Sequence, residues 1–211
     1  MDKKEYSMPH FLRDPANLCS LLGLLCSFLG ICFAVKGKFY FALVGVLWAV
    51  VFDWLDGMAA RRIKNRDEAH RAVGLQLDSL IDLVSFGVFP AVFLLSYGNF
   101  APAFIPGAFL IVSAAALRLS YFNVFGMVDG KTYRGLALDN NVLLLSLLFL
   151  FESLFPRGLF AALLYAVLMV LLVLNLAPIR TAKLGGGWFY ALLAYTLAVT
   201  ACFAWLQLAA Q

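Results

Sequence analysis

The sequence predicts an all-α integral membrane protein, a bundle of about six to seven transmembrane helices around a polar active site that faces the cytoplasm. Three observations carry the prediction. Hydrophobic residues make up 64% of the chain and charged ones 13%, outside the range of a soluble globule. Apolar stretches of about twenty residues recur along the whole sequence, and none alternates as barrel strands would, so the spans are helices. Aspartates are placed inside those stretches at helical spacing, where a carboxylate costs a few kcal/mol and therefore marks function.

Taken in order, residues 1–17 form a cytoplasmic N-terminal segment, of which 2–14 can lie along the inner leaflet with its basic residues on anionic lipid. Spans follow at 18–35, 39–60, 75–97, 102–125, 140–155, 159–177 and 187–208, separated by Pro, Gly or charged residues. The first run is too long for a signal h-region and lacks a small-x-small cleavage site, so it reads as a retained helix. No internal repeat or composition break divides the chain, and residues 1–211 are expected to form a single membrane domain.

Orientation follows from the basic residues. With the N-terminus inside, Lys3, Lys4 and Arg13, then Arg61, Arg62, Lys64, Arg66 and Arg71, then Arg118, Lys131 and Arg134, then Arg180 and Lys183 all fall on the cytoplasmic side. Only Lys36, Lys38 and Arg157 fall outside, the asymmetry of the positive-inside rule. The net charge of +4 is modest, and no nucleic-acid partner is expected. Cys19, Cys26, Cys32 and Cys202 lie in or beside apolar runs without spaced partners, so they read as packing or lipid-facing residues.

The chemistry lies in two acid pairs. Asp53 and Asp56 stand at i, i+3 near the inner end of the second span; Asp78 and Asp82 stand at i, i+4 near the inner start of the third. Each spacing puts both acids on one helix face, and the short loop between the spans makes them antiparallel neighbours. Four converging carboxylates repel one another unless a cation compensates, and oxygen ligands suit hard divalent ions such as Mg²⁺. Two such ions suit phosphoryl chemistry. Gly57, Ala59, Ala60 and Gly74 keep the flanking faces small, for close helix packing or for a flat ligand.

These residues form a pattern. Asp53, Asp56, Gly57, Ala60 and Arg61, followed by Gly74, Asp78 and Asp82, resemble the signature of the CDP-alcohol phosphatidyltransferases in type and local spacing. Twelve residues separate Arg61 from Gly74, more than that family's usual spacing, and the excess falls in the polar stretch 65–72 of the inner loop. The resemblance implies a CDP-diacylglycerol donor, a small alcohol acceptor, release of CMP, and Mg²⁺ or Mn²⁺ as two bound ions. It implies metal ligation by Asp53, Asp56, Asp78 and Asp82, a general-base role for Asp82, and a nucleotide site lined by Gly57, Ala60, Arg61 and Gly74. It also implies a homodimer, for which the apolar surfaces of the third and fourth spans are candidates, and membrane lipids as surroundings.

Within the family, the run 77–90 is similar to the phosphatidylserine synthase branch. So are 116–119 and 122–124, and Pro15, Asn17 and Ser20 echo its entry segment. L-Serine is therefore the favoured acceptor. Arg118, a cation inside an apolar helix, would pair with the serine carboxylate, or else with a motif aspartate or the inner interface. Ser85, three residues beyond Asp82, can reach the acceptor or bond back to its own helix. The segment 133–141 departs from the Gly-Leu-Pro run usual in the serine branch. Arg134, Asp139, Asn140 and Asn141 there either shape a different acceptor pocket or form a solvated loop. Glycerol phosphate, inositol or its phosphate, and choline are the alternative acceptors, and cation or proton transport is the rival outside the family. His10 and His70 read as isolated, and Glu152 as reaching the outer interface.

Overall fold

The computed structural model describes residues 6–63, 66–129, 132–182 and 185–209. Its helices are α1 (Pro15–Val35), α2 (Phe39–Arg62), α3 (Glu68–Asp82), α4 (Phe89–Tyr97), α5 (Ile105–Phe125), α6 (Asp139–Phe149), α7 (Arg157–Leu176) and α8 (Trp188–Ala209). The third span, Glu68–Tyr97, joins α3 to α4 through a π-helical segment, Leu83–Val88. With α1, α2, Pro102–Phe125, α7 and α8, six helices among the described residues are long and apolar enough to cross a membrane. The chain is a multi-pass integral membrane protein.

Helix α1 begins on Pro15, which needs no donor, after Asp14, whose carboxylate accepts from the Ala16 amide at 3.0 Å. Its buried face is small throughout: Ala16, Asn17, Ser20, Gly23, Ser27, Gly30 and Ala34. Leu18, Leu22, Leu25, Phe28 and Leu29 face outward, the reverse of a soluble helix. Lipid gives no hydrophobic reason to hide leucine, so packing surfaces go to small residues that let backbones meet. A Cβ on Gly45 of α2 would lie 2.7 Å from the Cys26 carbonyl oxygen and 3.0 Å from Gly30 Cα.

The third span starts earlier than the expected 75–97, because Asp67 caps α3 by accepting from the His70 amide at 2.8 Å. The π segment that follows Asp82 widens the helix where α5 comes closest. A Cβ on Gly87 would lie 2.8 Å from Ala115 Cβ.

The expected span 140–155 is shorter than predicted. Helix α6 ends at Phe149, and a 3₁₀ turn, Glu152–Leu154, completes the segment. It starts deep within the bundle: Trp54 Nε1 donates to Asp139 Oδ2 at 3.1 Å, and the Tyr40 hydroxyl donates to Glu152 Oε2 at 3.0 Å. The segment thus runs antiparallel to α2 between the levels of Trp54 and Tyr40, about 21 Å of helix. Glu152, expected at the outer interface, is tied into the bundle end. It is held by Tyr40 and by the Tyr97 hydroxyl at 2.8 Å, beside an aromatic cluster around Phe149.

Two short strands, not predicted from the sequence, tie the loops at the opposite end. β1 (Thr132–Arg134) pairs antiparallel with β2 (Arg180–Ala182), Tyr133 opposite Thr181. Below the ribbon, Asn141 and Asn175 exchange side-chain hydrogen bonds at 2.8 and 3.1 Å, and Asn175 also donates to the Leu136 carbonyl. That reciprocal pairing satisfies buried amides that would otherwise be costly in lipid.

A second tie fixes the start of α1 to the loop before α3. Arg66 Nε donates to Asp14 Oδ2 at 2.6 Å and its Nη2 to Asn17 Oδ1 at 3.0 Å, with side chains only 11% and 3% exposed for Arg66 and Asp14. His10 and His70, expected to be isolated, meet at 5.2 Å between ring centroids, and Tyr6 stacks on His10. Asp67 accepts from the Tyr6 hydroxyl and contacts His70 Nδ1 at 2.6 Å, and the Tyr6 bond, followed by those from His70, holds its carboxyl below the usual range. Of the expected inner leaflet segment 2–14, Met8–Arg13 forms a 3₁₀ helix. Lys3, Lys4, Lys64, Lys131 and Lys183, counted above as cytoplasmic, lie outside the described residues.

Two stability predictions follow from this packing. Gly45→Ala drives a methyl into the α1 backbone and should cost about 1–3 kcal/mol, read as a lowered melting temperature in detergent; Gly158→Ala, with open space around it, should leave melting unchanged. Arg66→Met leaves Asp14 buried and unpaired and should cost about 3 kcal/mol, with part recovered in the Asp14→Asn, Arg66→Met double variant.

Candidate active site

Helix α2 presents Asp53, Asp56, Gly57 and Arg61 to one cavity, and α3 presents Asp78 and Asp82 to the same cavity. One carboxylate oxygen each from Asp53, Asp78 and Asp82 lies within 4.8 Å of the other two, a group that can hold a metal ion. That spread is close to the ~4.2 Å across an octahedral ion with ~2.1 Å bonds, and an all-oxygen set suits Mg²⁺ or Mn²⁺ over softer metals. Asp56 stands beside this trio. It accepts from Ser20 Oγ at 2.5 Å, which ties the acid stripe to α1.

The cavity has a volume of about 910 Å³. Acids and Arg61 form one side. Arg118 and Phe122 of α5, Thr132 and Tyr133 of β1, and Asp139 and Asn140 of α6 form another, and Gly185, Gly186 and Phe189 close it from the C-terminal part. Arg118 Nε is buried without a hydrogen-bond partner, and among the described residues no ion pair includes Arg118. Thr132 Oγ1 is likewise buried and unpartnered on the same wall. Burial, then the nearby Asp139, raises the Tyr133 hydroxyl to about 12, so it stays a neutral phenol at physiological pH.

The expected nucleotide residues divide. Gly57 and Arg61 line the cavity, whereas Ala60 is not among its lining residues. Gly74 is buried where a side chain would collide with the Arg66 guanidinium and Asn17, so its smallness serves the tie between α1 and α3. Ser85 lines a smaller cavity together with Asp53, Asp56, Asp78 and Asp82. Its hydroxyl hydrogen-bonds Ser27 of α1 at 2.6 Å, and it is absent from the main cavity wall. In the polar segment, Asp139 and Asn140 line the cavity, Arg134 donates to the Tyr121 hydroxyl at 3.1 Å, and Asn141 is used by Asn175.

The sequence reading did not single out Trp54, Thr132, Tyr133 or Phe189 as site residues, nor Ser20 as a partner of Asp56. Trp54 lies between two motif acids on the same helix and was findable by its neighbours. Thr132 and Tyr133, on β1, and Phe189, at the start of α8, reach the site from segments far apart in sequence.

The family model for CDP-alcohol phosphatidyltransferase matches residues 14–209. The chain is 34% identical over 187 residues to an archaetidylserine synthase of Methanothermobacter thermautotrophicus, covering 88% of this chain and 75% of that protein. It is 37% identical over 98 residues to a CDP-diacylglycerol–serine O-phosphatidyltransferase of Methanocaldococcus jannaschii, covering 46% of this chain and 44% of that protein. A phosphatidylcholine synthase of Rhizobium johnstonii is 26% identical over 175 residues, 80% of this chain and 69% of that protein. The acid signature on two neighbouring helices, its convergence on one cavity and the match across nearly the whole chain lead to one conclusion: this protein belongs to the CDP-alcohol phosphatidyltransferase family.

Proposed function

We propose that the chain transfers a phosphatidyl group from CDP-diacylglycerol to L-serine, forming phosphatidylserine and releasing CMP at the cytoplasmic face of the membrane. The observation that carries this reading is the three-carboxylate group of Asp53, Asp78 and Asp82 facing the same cavity as Arg118, whose Nε has no hydrogen-bond partner. Serine is the acceptor in the names of the first two relatives described above, and the basic residues bordering the acid end support a cytoplasmic site. The family resemblance adds a homodimer, for which exposed Phe109, Leu117 and Val124 on α5 supply apolar surface.

In this reading Asp53, Asp56, Asp78 and Asp82 hold two divalent ions, Mg²⁺ or Mn²⁺. Bound there, the ions neutralise the diphosphate and stabilise the leaving CMP. Arg61 offers a planar fork to diphosphate oxygens, and Gly57, with only the Arg61 guanidinium near it, leaves room for the nucleotide. Arg118, whose Nε has no hydrogen-bond partner, pairs with the serine carboxylate. Asp82 accepts the proton of the serine hydroxyl; the hydroxyl oxygen bonds to the phosphatidyl phosphorus, and the bond from that phosphorus to CMP breaks. Ser27 and Ser85 join α1 to the π segment just beyond Asp82 and steady its backbone.

CMP release from CDP-diacylglycerol by the purified protein should require L-serine, stop with EDTA and return with Mg²⁺ or Mn²⁺. Release driven by choline, inositol or glycerol 3-phosphate in place of serine would move the acceptor within the family. Asp82→Asn should reduce turnover by roughly 10²–10⁴-fold with melting temperature preserved, since it removes the base while keeping the shape. Arg118→Gln should raise the serine KM by about tenfold or more and leave the donor KM unchanged; equal changes in both would argue against a carboxylate contact.

A further inference from the structure

Asp139 is the acid in this cavity that the reaction above does not use. It stands outside the trio of Asp53, Asp78 and Asp82, and among the described residues no ion pair neutralises it. Its orientation is fixed. Trp54 Nε1 donates to Oδ2 at 3.1 Å, while the Asn140 amide at 3.0 Å and the Asn140 side chain at 3.3 Å both donate to Oδ1. A carboxylate offers about four acceptor positions, so three donors leave Oδ2 with capacity for one more, and the residue lines the cavity.

The same cavity contains the opposite charge. Arg118 lines it with Nε unpartnered; it attracts Asp139 across the cavity, but among the described residues the two form no direct ion pair. A cation and an anion held apart in one low-dielectric cavity, each fixed by its own helix, are a complement to a ligand that carries both charges. A neutral polyol would leave both unsatisfied, and a phosphorylated alcohol would meet an acid with no compensation.

We infer that Asp139, oriented by Trp54, binds the ammonium group of the acceptor while Arg118 binds its carboxylate, so that the acceptor subsite selects a zwitterionic amino acid. This rests on the serine reading above and adds the residue that recognises the amine. The hydrogen bonds from Asn140 also suit a plain helix-start acid, and the test therefore compares ligands that carry one charge each.

The experiment uses the full chain in lipid nanodiscs with CDP-diacylglycerol and Mg²⁺, following labelled serine into lipid. Ethanolamine, which lacks the carboxylate, and 3-hydroxypropionate, which lacks the amine, serve as competitors. Asp139→Asn should raise the serine KM by about tenfold or more, the loss expected for one charge-assisted hydrogen bond, with the donor KM unmoved. It should raise the inhibition constant of ethanolamine and leave that of 3-hydroxypropionate alone; Arg118→Gln should do the reverse. Trp54→Phe, which keeps an aromatic side chain but removes the indole N–H that donates to Asp139, should raise the serine KM by a few fold with the donor KM unmoved and supplies the test if Asp139→Asn fails to fold. Equal movement of both competitors, no movement of either, or a changed donor KM overturns the ammonium assignment while leaving serine as the acceptor. Wild-type protein that ignores serine and uses choline or another alcohol overturns the acceptor reading and this inference together.

Discussion

The constraint on which this structure depends is the gathering of like charges inside a membrane bundle. Asp53, Asp78 and Asp82 bring oxygens within 4.8 Å of one another, with Asp56 and Asp139 on the same cavity. In a low-dielectric medium such a group opposes its own assembly, so the bundle must hold it by contacts made elsewhere. Those contacts are visible. Gly30 and Gly45 let α1 and α2 meet backbone to backbone, Ser20 donates to Asp56, and Arg66 fixes the start of α1 through Asp14 and Asn17. Helix α1 contributes no acid, yet its small buried face is what allows the acid-bearing helices their position.

The two ends of the bundle differ in how they are held. Around Phe149, aromatic side chains pack edge to face and close over Glu152, which two tyrosine hydroxyls satisfy. At the acid end the helices splay around a cavity of about 910 Å³, and short loops tied by β1 and β2 form part of its wall. A packed far end gives rigidity without lid contacts, and an open near end gives a polar ligand access without crossing lipid. The π-helical turn at Leu83–Val88 lies between the two regimes, where Gly87 meets α5 and the span changes from a cavity-facing to a packed helix.

The walls of the cavity carry different chemistry. The side formed by α2 and α3 has carboxylates and Arg61, suited to metal and diphosphate. The side formed by α5, β1 and α6 has Arg118, Thr132, Tyr133 and Asp139, suited to a small charged molecule. Separate walls let donor and acceptor chemistry vary independently, which accords with relatives named for serine in one case and for phosphatidylcholine in another.

The membrane class, the paths of the long spans and the two acid pairs were legible in the sequence. Apolar length, i, i+3 and i, i+4 spacing and the distribution of basic residues are local properties that survive folding unchanged. The early start of α3 at Glu68, the end of α6 at Phe149 and the β1–β2 pairing were not legible, because a cap, a buried hydrogen bond from Trp54 and a pairing across about fifty residues decided them. The family resemblance put Gly74 with the nucleotide and spacing from Asp82 put Ser85 near the acceptor; what neither could supply is that Gly74 packs against Arg66 and Asn17 and that Ser85 hydrogen-bonds Ser27. For Asp139 the sequence left an acceptor pocket and a solvated loop both open, and only the tertiary structure carries it beside Trp54 on the cavity. Sequence by itself determined which groups carry charge in the membrane; tertiary structure decided which of those charges meet, because a side chain's partners in lipid are set by helix rotation and depth, which no local pattern records.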